Sequence, residues 1–479
     1  MNPGDLAALC PLIVLAATAV AAMLAAAFWR GSGLVEALAL AGLAAAGASL
    51  ATAWQAAPRQ VTALLLIDHY ALFYTGLMVA SAFAVVMFSC DYLRRCALGP
   101  DARHEEYYIL LILATAGAAV LVSSVHFASF FLGLELLSVS LYALVGYPRT
   151  NALSIEAGVK YLILAGASSA FLLFGMALVY AELGTLDFSG LASATARPGA
   201  FGVLTLAGVA MIIVGIGFKL SLVPFHLWAP DVFQGAPAPA TAFVATVSKG
   251  AVFALLLRYF AFAPADKTGP LLAVFTWLAL GSMFVGNWLA LHQTNIKRLL
   301  AYSSIAHMGY LLVAFVAGGP WAGVAVTVYL TAYFVTTLGA FGVVSALSTR
   351  GGEADAMEGY AGLAWRRPWV AGAMSAMLLS LAGIPLTAGF IGKFYVLAAG
   401  VNSSLWLLAA ALAMNSAIGL FYYLRIIVVM FRQPAAAAPA GGVMPLMSRA
   451  ALFGLTAVLL WLGLAPAPAL RLIQAIFAE

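Results

Sequence analysis

Fourteen stretches of this 479-residue chain are apolar over the roughly 20 residues that a helix needs to cross a bilayer. They are 6–29, 34–54, 70–90, 107–125, 127–147, 157–181, 201–228, 238–262, 270–291, 299–317, 321–347, 370–399, 404–431 and 447–466. Only SSVHF divides the fourth from the fifth. The last run closes on APAPA, so 469–479 reads as a short interfacial tail. The pattern predicts an all-α polytopic membrane protein of about 14 transmembrane helices. Most loops are short. The longest are 91–106 and 348–369 on one side, 182–200 on the other, and the Ala/Pro/Gly-rich 432–446, which reads as a flexible connection.

One stretch interrupts the pattern. GIGFKLSLVPFHLWAPDVFQGAPAPATAFVATVSKG, residues 215–250, begins inside one apolar run and ends inside another. Lys219 sits in the first run, Lys249 in the second, and Pro224, Pro230, Pro237 and Pro239 lie between. A lysine deep in an apolar span costs about 2.5–3.5 kcal/mol on insertion scales and marks an ion or proton path. A proline inside a membrane helix removes a backbone hydrogen bond that neighbours must replace. A helix broken beside an ionisable group is a recurring transporter device.

LSLVPFHLWAP at 220–230 has a short echo in LSLAGIPLTAGF at 379–390, with Pro385 at the second break and Lys393 close by. The two segments lie on the seventh and twelfth spans. An odd offset reverses orientation across the membrane, as two inverted five-helix repeats with broken helices 7 and 12 would give. The chain then divides into a three-helix segment (1–106), a first repeat (107–262), a second repeat (270–431), and a linker, last helix and tail (432–479).

Composition agrees. The chain is 65% hydrophobic and 8% charged, against roughly 25% charged in soluble domains. The net charge of +5 falls mainly in short loops, where it sets topology and does not imply nucleic acid. With the N-terminus outside, twelve basic residues fall in cytoplasmic loops, Lys297 and Arg298 among them, against five outside, including Arg59 and Arg258. An even number of spans then places both termini outside. The start carries Asp5 and no basic residue, so it lacks the positive region of a signal peptide. Cys10, Cys90 and Cys96 have no disulfide or metal spacing.

Four of the six lysines lie within spans, whereas fifteen of the sixteen arginines lie outside them or, as Arg258 and Arg449 do, within a few residues of a span end. Lysine is the cation whose protonation burial changes most readily. Arg425, near the inner end of its span, can snorkel. The candidate proton-handling set is Glu135, Lys160, Lys219, Lys249, His307 and Lys393, each on a different predicted helix. Unpaired, these groups would together cost on the order of 10 kcal/mol. Glu135 is the natural counter-charge for Lys219, and a separation that changes would load and release a proton.

Blander readings stand beside this one. Glu135 with Lys219 also fits a structural ion pair, and Lys160 and Lys249 fit snorkelling side chains. His307 is either a relay or a hydrogen-bonded core histidine. His226, two residues past Pro224, either caps freed carbonyls or relays a proton. Tyr302, Ser303 and Ser304 read as helix-packing hydroxyls, Glu36 as a solvated helix-end acid, and Asp231 as a turn or helix cap. No GxGxxG or GxxxxGK[ST] stretch, cysteine cluster or paired helix histidines point to a nucleotide, iron–sulfur cluster or haem in this chain.

PFHLWAPDVFQGAPAPATAFVATVSKGAVFALLLR resembles the seventh-to-eighth helix segment of the antiporter-like membrane subunits of respiratory complex I. NIKRLLAYSSIAHMGYLLVA and LSLAGIPLTAGFIGKFYVL resemble later segments of the same family. The likeness runs across most of 107–431, and its wording is nearest the N-type branch. It implies fourteen helices with a hydrated row of charges at mid-membrane. Position by position it assigns Glu135 and Lys219 to the glutamate–lysine pair, and Lys160 to the additional sixth-helix lysine. It assigns Lys249 to the central eighth-helix lysine, Lys393 to the twelfth-helix lysine, and His307 to a histidine in the row. Lys393 argues against the M-type branch, which carries glutamate there.

The resemblance further implies a subunit of a proton-translocating NADH–quinone oxidoreductase in a bacterial inner membrane. NADH, FMN, iron–sulfur clusters and quinone would be held by partner subunits, with M-type and K-type neighbours alongside. The alternative is a subunit of a multi-subunit sodium/proton antiporter. A scaffold whose ion pairs only hold the bundle is the third reading.

Overall fold

A peptide group in lipid has no water to bond, so apolar runs of this length fold as helices. The computed structural model describes residues 2–29, 31–97, 104–195, 202–261, 269–349, 352–433 and 444–478. Arg30, Arg103, Arg197, Lys267, Arg350 and most of the Ala/Pro/Gly-rich connection lie outside them. In order the helices are α1 (Pro3–Phe28), α2 (Ser32–Ala56), α3 (His69–Tyr92), α4 (Glu105–Ser123), α5 (Phe127–Val145), α6 (Ala152–Leu183), α7 (Phe188–Thr195) and α8 (Val203–Leu220). There follow α9 (Trp228–Gly235), α10 (Ala238–Phe243), a π-turn (Val244–Ser248), α11 (Lys249–Ala261), α12 (Gly269–Leu291), α13 (Ile296–Ala317) and α14 (Gly319–Leu347). The rest are α15 (Leu363–Arg366), α16 (Pro368–Ala382), α17 (Ala388–Asn402), α18 (Trp406–Phe431), α19 (Leu446–Leu464) and α20 (Ala467–Ala478). A two-stranded antiparallel ribbon, β1 (Arg59–Gln60) with β2 (Leu66–Ile67), joins α2 to α3.

Among the described residues, thirteen helices are long and apolar enough to cross a membrane. The twelfth expected span is missing from that number because it is broken into α16 and α17, each of 15 residues. The seventh is also interrupted: α8 ends at Leu220 and α9 begins only at Trp228. Both breaks hold the expected prolines, Pro224 and Pro385. Each first half ends on a left-handed residue, Ser221 at φ 57° and Gly383 at φ 85°. The narrow SSVHF division is real, since α4 stops at Ser123 and α5 starts at Phe127.

The chain forms two units, Met1–Val86 with Arg103–Ser221 and Val247–Val274, and Met87–Ala102 with Leu222–Thr246 and Phe275–Glu479. In the first, α4 is the central helix, packed on α1, α2, α5 and α11. The seam between α6 and α8 is closed by Gly175 and Gly208. A Cβ on Gly175 would sit 2.5 Å from the Gly208 carbonyl oxygen, and one on Gly208 2.6 Å from that of Gly175. In the second unit, α14 is central, touching α10, α13, α16, α17, α19 and α20. The expected tail is the amphipathic α20, which lays Ile473 and Ile476 inward.

Three sequence expectations change. Glu36 is buried, not solvated. Lys297 and Arg258, assigned to loops, are both buried, and each is anchored by an acid: Lys297 by Glu353, and Arg258 by Asp68 through two bonds of 2.9 and 2.7 Å. Asp231, in the first turn of α9, pairs with Arg298 at 2.7 Å.

Candidate functional site

In the first unit, α5 carries Glu135 and, one turn on, Ser138, while α6 carries Ser168 and Ser169. The glycine seam brings α8 against α6, and Ser168 Oγ donates to the Gly215 carbonyl at 3.3 Å. Lys219, on the last turn of α8, is 3% exposed. Its Nζ donates to Ser138 Oγ at 2.6 Å. Ser169 Oγ donates to Glu135 Oε1 at 2.5 Å. Glu135 therefore acts on Lys219 through space, without a direct ion pair: each charge is held by a serine. Tyr142 and Tyr161 meet edge to face, with ring centres 5.3 Å apart, and the ammonium lies 5.9 Å from each ring.

Lys249 is buried at 1% exposure, where the π-turn Val244–Ser248 passes into α11. Such turns insert one residue into a helix and gather at functional positions. Lys160 stands apart from this group. It pairs with Glu156 on its own helix at 2.6 Å, and both side chains are about half exposed, at 41% and 56%. A cavity of about 410 Å³ runs beside α5 and α6, lined by Tyr142, Tyr147, Glu106 and Arg149 among others.

In the second unit, α13 places Ser303, Ser304, His307 and Tyr310 on its buried surface. His307 Nδ1 bonds the Tyr329 hydroxyl at 2.7 Å, and Nε2 bonds the Tyr423 hydroxyl at 3.1 Å. Tyr423 also bonds Ser303, and Tyr333 donates to Ser304 at 2.8 Å. Ser303, read as a packing hydroxyl, thus belongs to the histidine's hydrogen-bonded cluster, and Ser304 bonds a tyrosine whose ring centre lies 5.4 Å from the imidazole. Lys393, on α17, reaches back across its break and donates to the Ala382 carbonyl at 2.8 Å and to Ser416 Oγ at 2.7 Å. Ala382 closes α16, so the ammonium serves a carbonyl that the helix itself leaves unpaired.

The Tyr310 ring lies 5.1 Å from Lys393 Nζ, and its hydroxyl accepts from Asn287 at 2.9 Å. Tyr422 donates to Asn287 Oδ1 at 3.0 Å. A cavity of about 310 Å³ adjoins Lys393, lined also by Gly383, Phe390, Ser416 and Leu420. His226 is buried in the other break, and its Nδ1 has no hydrogen-bond partner among the described residues.

Sequence reasoning found the charges and the breaks but missed the hydroxyls that hold them: Ser138, Ser169, Tyr329, Tyr423 and Ser416. Spacing carries a partial signal, since Ser138 follows Glu135 by three residues and Ser303 precedes His307 by four, the helical neighbour distances.

Residues 124–419 match the family described as NADH:quinone oxidoreductase/Mrp antiporter membrane subunits. NADH-quinone oxidoreductase subunit N of Ectopseudomonas mendocina is 50% identical over 433 residues, 90% of this chain and 87% of that one. A chain of respiratory complex I from Thermus thermophilus superposes with a TM-score of 0.82 at 33% identity, over 96% of this chain and 98% of that one. A chain of the Mrp complex from a Dietzia species superposes with a TM-score of 0.88 at 20% identity, over 100% and 97%, a likeness of fold. The chain belongs to the family of membrane subunits shared by NADH:quinone oxidoreductases and Mrp antiporters.

Proposed function

We propose that the chain is the proton-moving membrane subunit of an NADH–quinone oxidoreductase, and that protons pass by way of Glu135, Lys219, Lys249, His307 and Lys393. The observation that carries this reading is the pair of lysine cages. Lys219 and Lys393 are both buried, and their hydrogen-bond partners are neutral oxygens: Ser138 for one, Ala382 and Ser416 for the other. A carboxylate partner would favour the ammonium strongly over the free amine. A serine oxygen carries no charge and accepts an N–H from the ammonium and from the free amine alike, while Ser138 and Ser416 give their own protons to the Leu134 and Ala382 carbonyls. The cages suit a group that gains and loses a proton.

Glu135 sets the balance at the first cage. Small movements of α5 against α8 change its distance from Lys219, and with it the preference for the charged amine. Neutral His307 has one donor and one acceptor nitrogen, each facing a tyrosine hydroxyl, so it can take a proton on one side and release it on the other. The cavity beside Lys393 has room for several waters at roughly 30 Å³ each. Quinone reduction takes place in partner subunits, which hold NADH, FMN, iron–sulfur clusters and quinone. M-type and K-type subunits are the neighbours, and both termini face the periplasm. The 50% identity to a subunit N favours this reading over the sodium/proton antiporter, which rests on fold.

The test is Lys219→Ala in membranes, with assembly checked on a native gel. Proton pumping and NADH–quinone turnover per assembled complex are measured together. Collapse of both is expected. Normal rates per assembled complex would make the lysine structural and end the proposal, and NADH oxidation indifferent to this chain would favour the antiporter.

A further inference from the structure

The buried ion pair Lys297–Glu353 shares no residue with either cage, and its geometry has a specific use. The turn between α9 and α10 reads Ala236-Pro237-Ala238-Pro239. Neither proline has an N–H to give, and two helix ends meet there with unpaired groups. The Ala236 carbonyl, at the end of α9, accepts from Lys297 Nζ at 2.6 Å. The Ala238 N–H, first of α10, donates to Glu353 Oε1 at 2.8 Å. Lys297 Nζ closes the pair on Glu353 Oε2. Each ion thus stands at the helix pole of opposite sign, the ammonium at a C-terminus and the carboxylate at an N-terminus.

Two further contacts fix this node. The Tyr92 hydroxyl donates to Glu353 Oε1 at 2.5 Å. The neighbouring Arg298 donates from Nη1 to Asp231 and Gln234 on α9, at 2.7 and 3.0 Å. Glu353 is itself held in place, because the segment after it is stitched to the start of α13: Ile296 N–H donates to the Asp355 carbonyl and Met357 N–H to that of Thr294. The Tyr360 hydroxyl donates to the Ala354 carbonyl, and burial, with Asp355 and Glu353 nearby, holds its phenol well above the usual range, so it stays a donor. One carboxylate therefore ties together the end of α3, the start of α13 and the head of the helix Ala238–Phe260. That helix carries Lys249, eleven residues beyond Ala238.

We propose that Glu353 and Lys297 form a positioning pair that caps the α9–α10 turn from outside and fixes the register of the helix bearing Lys249. The role rests on the proposed part of Lys249 in proton transfer, and the test separates the two.

The experiment uses the assembled complex in membranes. Glu353→Gln keeps the oxygen that Ala238 and Tyr92 bond but removes the charge opposite Lys297. Glu353→Asp keeps the charge. The double variant Lys297→Met with Glu353→Gln removes both ions, so no lone charge stays buried to block folding. Amide hydrogen exchange over 236–249 reads the turn directly, and turnover per assembled complex reads its effect on Lys249.

Glu353→Gln and the double variant are expected to speed exchange over 236–249 about tenfold and to lower turnover per assembled complex about fivefold. Glu353→Asp is expected to recover most of both. If exchange in this segment is unchanged in the double variant, the pair does not hold the turn and the proposal fails. If Glu353→Gln speeds exchange and lowers turnover but the double variant restores both, the two ions only neutralise each other, and the proposal fails in that way too. Faster exchange with normal turnover would leave the cap in place and remove Lys249 from the path, overturning the positioning role and not the structural one.

Discussion

The two broken helices place a lysine at the same electrical position by opposite routes. Lys219 precedes its break and sits on the last turn of α8. Lys393 follows its break, on α17, and reaches back to the last carbonyl of α16. Both ammonium groups therefore lie at the C-terminal, negative end of a half-helix. The surroundings differ. Lys219 has one hydroxyl partner, two tyrosine faces and a carboxylate acting through space. Lys393 has a carbonyl, a serine and one tyrosine face. The first cage has a charge to respond to, and the second has only dipoles. Under the proposed function, this asymmetry suits Glu135 to the part of a switch and Lys393 to that of a fixed station.

The comparison can be broken or sharpened in steps. Lys219→Ala and Lys393→Ala should have the largest effect, each lowering turnover per assembled complex about tenfold or more, as loss of a proton-transfer group does. A collapse in one and not the other would mean that the cages are not equivalent stations. Ser138→Ala should follow at close to tenfold, since a hydrogen bond to a charged group is worth about 1.5–3 kcal/mol. Ser416→Ala should cost less, about threefold, because the Ala382 carbonyl still holds Lys393. Steady-state pumping in the two serine variants, side by side, tests the order, and a reversed order would refute the partner assignment.

Glu135→Gln keeps an acceptor for Ser169 and removes only the charge. Turnover should fall about fivefold, matching on the order of 1 kcal/mol of through-space interaction. A rate equal to wild type would take the switch away from the first cage. The smallest effect belongs to Lys160→Met, within about twofold, because a half-exposed pair four residues apart on one helix contributes only about 0.3–0.5 kcal/mol. A collapse there would return Lys160 to the row in which the sequence resemblance set it.

The helices, both breaks and the buried lysines were legible in the sequence, because lipid leaves few structures to an apolar run and proline leaves few to a helix. The partners were not. A serine inside an apolar run leaves hydropathy almost unchanged, and what it bonds depends on how far one helix is rotated against another. Ser138 and Ser140 sit on one helix two residues apart and both donate to the carbonyl one turn back, yet only Ser138 also meets Lys219. Lys297 misled for a different reason. Next to Arg298 and at the head of a helix it has the signature of a topogenic loop, and only the distant Glu353 reveals that it is interior.

The glycine seam between α6 and α8 supplies an instrument that none of these charge variants provides. Gly175 and Gly208 set the two backbones at touching distance, so a single methyl at either position acts as a shim. Gly208→Ala would wedge the lysine helix away from the helix that hydrogen-bonds its carboxylate, with the inventory of charges and hydroxyls untouched. The seam is in effect the fine adjustment of the first cage, graded by side-chain volume instead of chemistry.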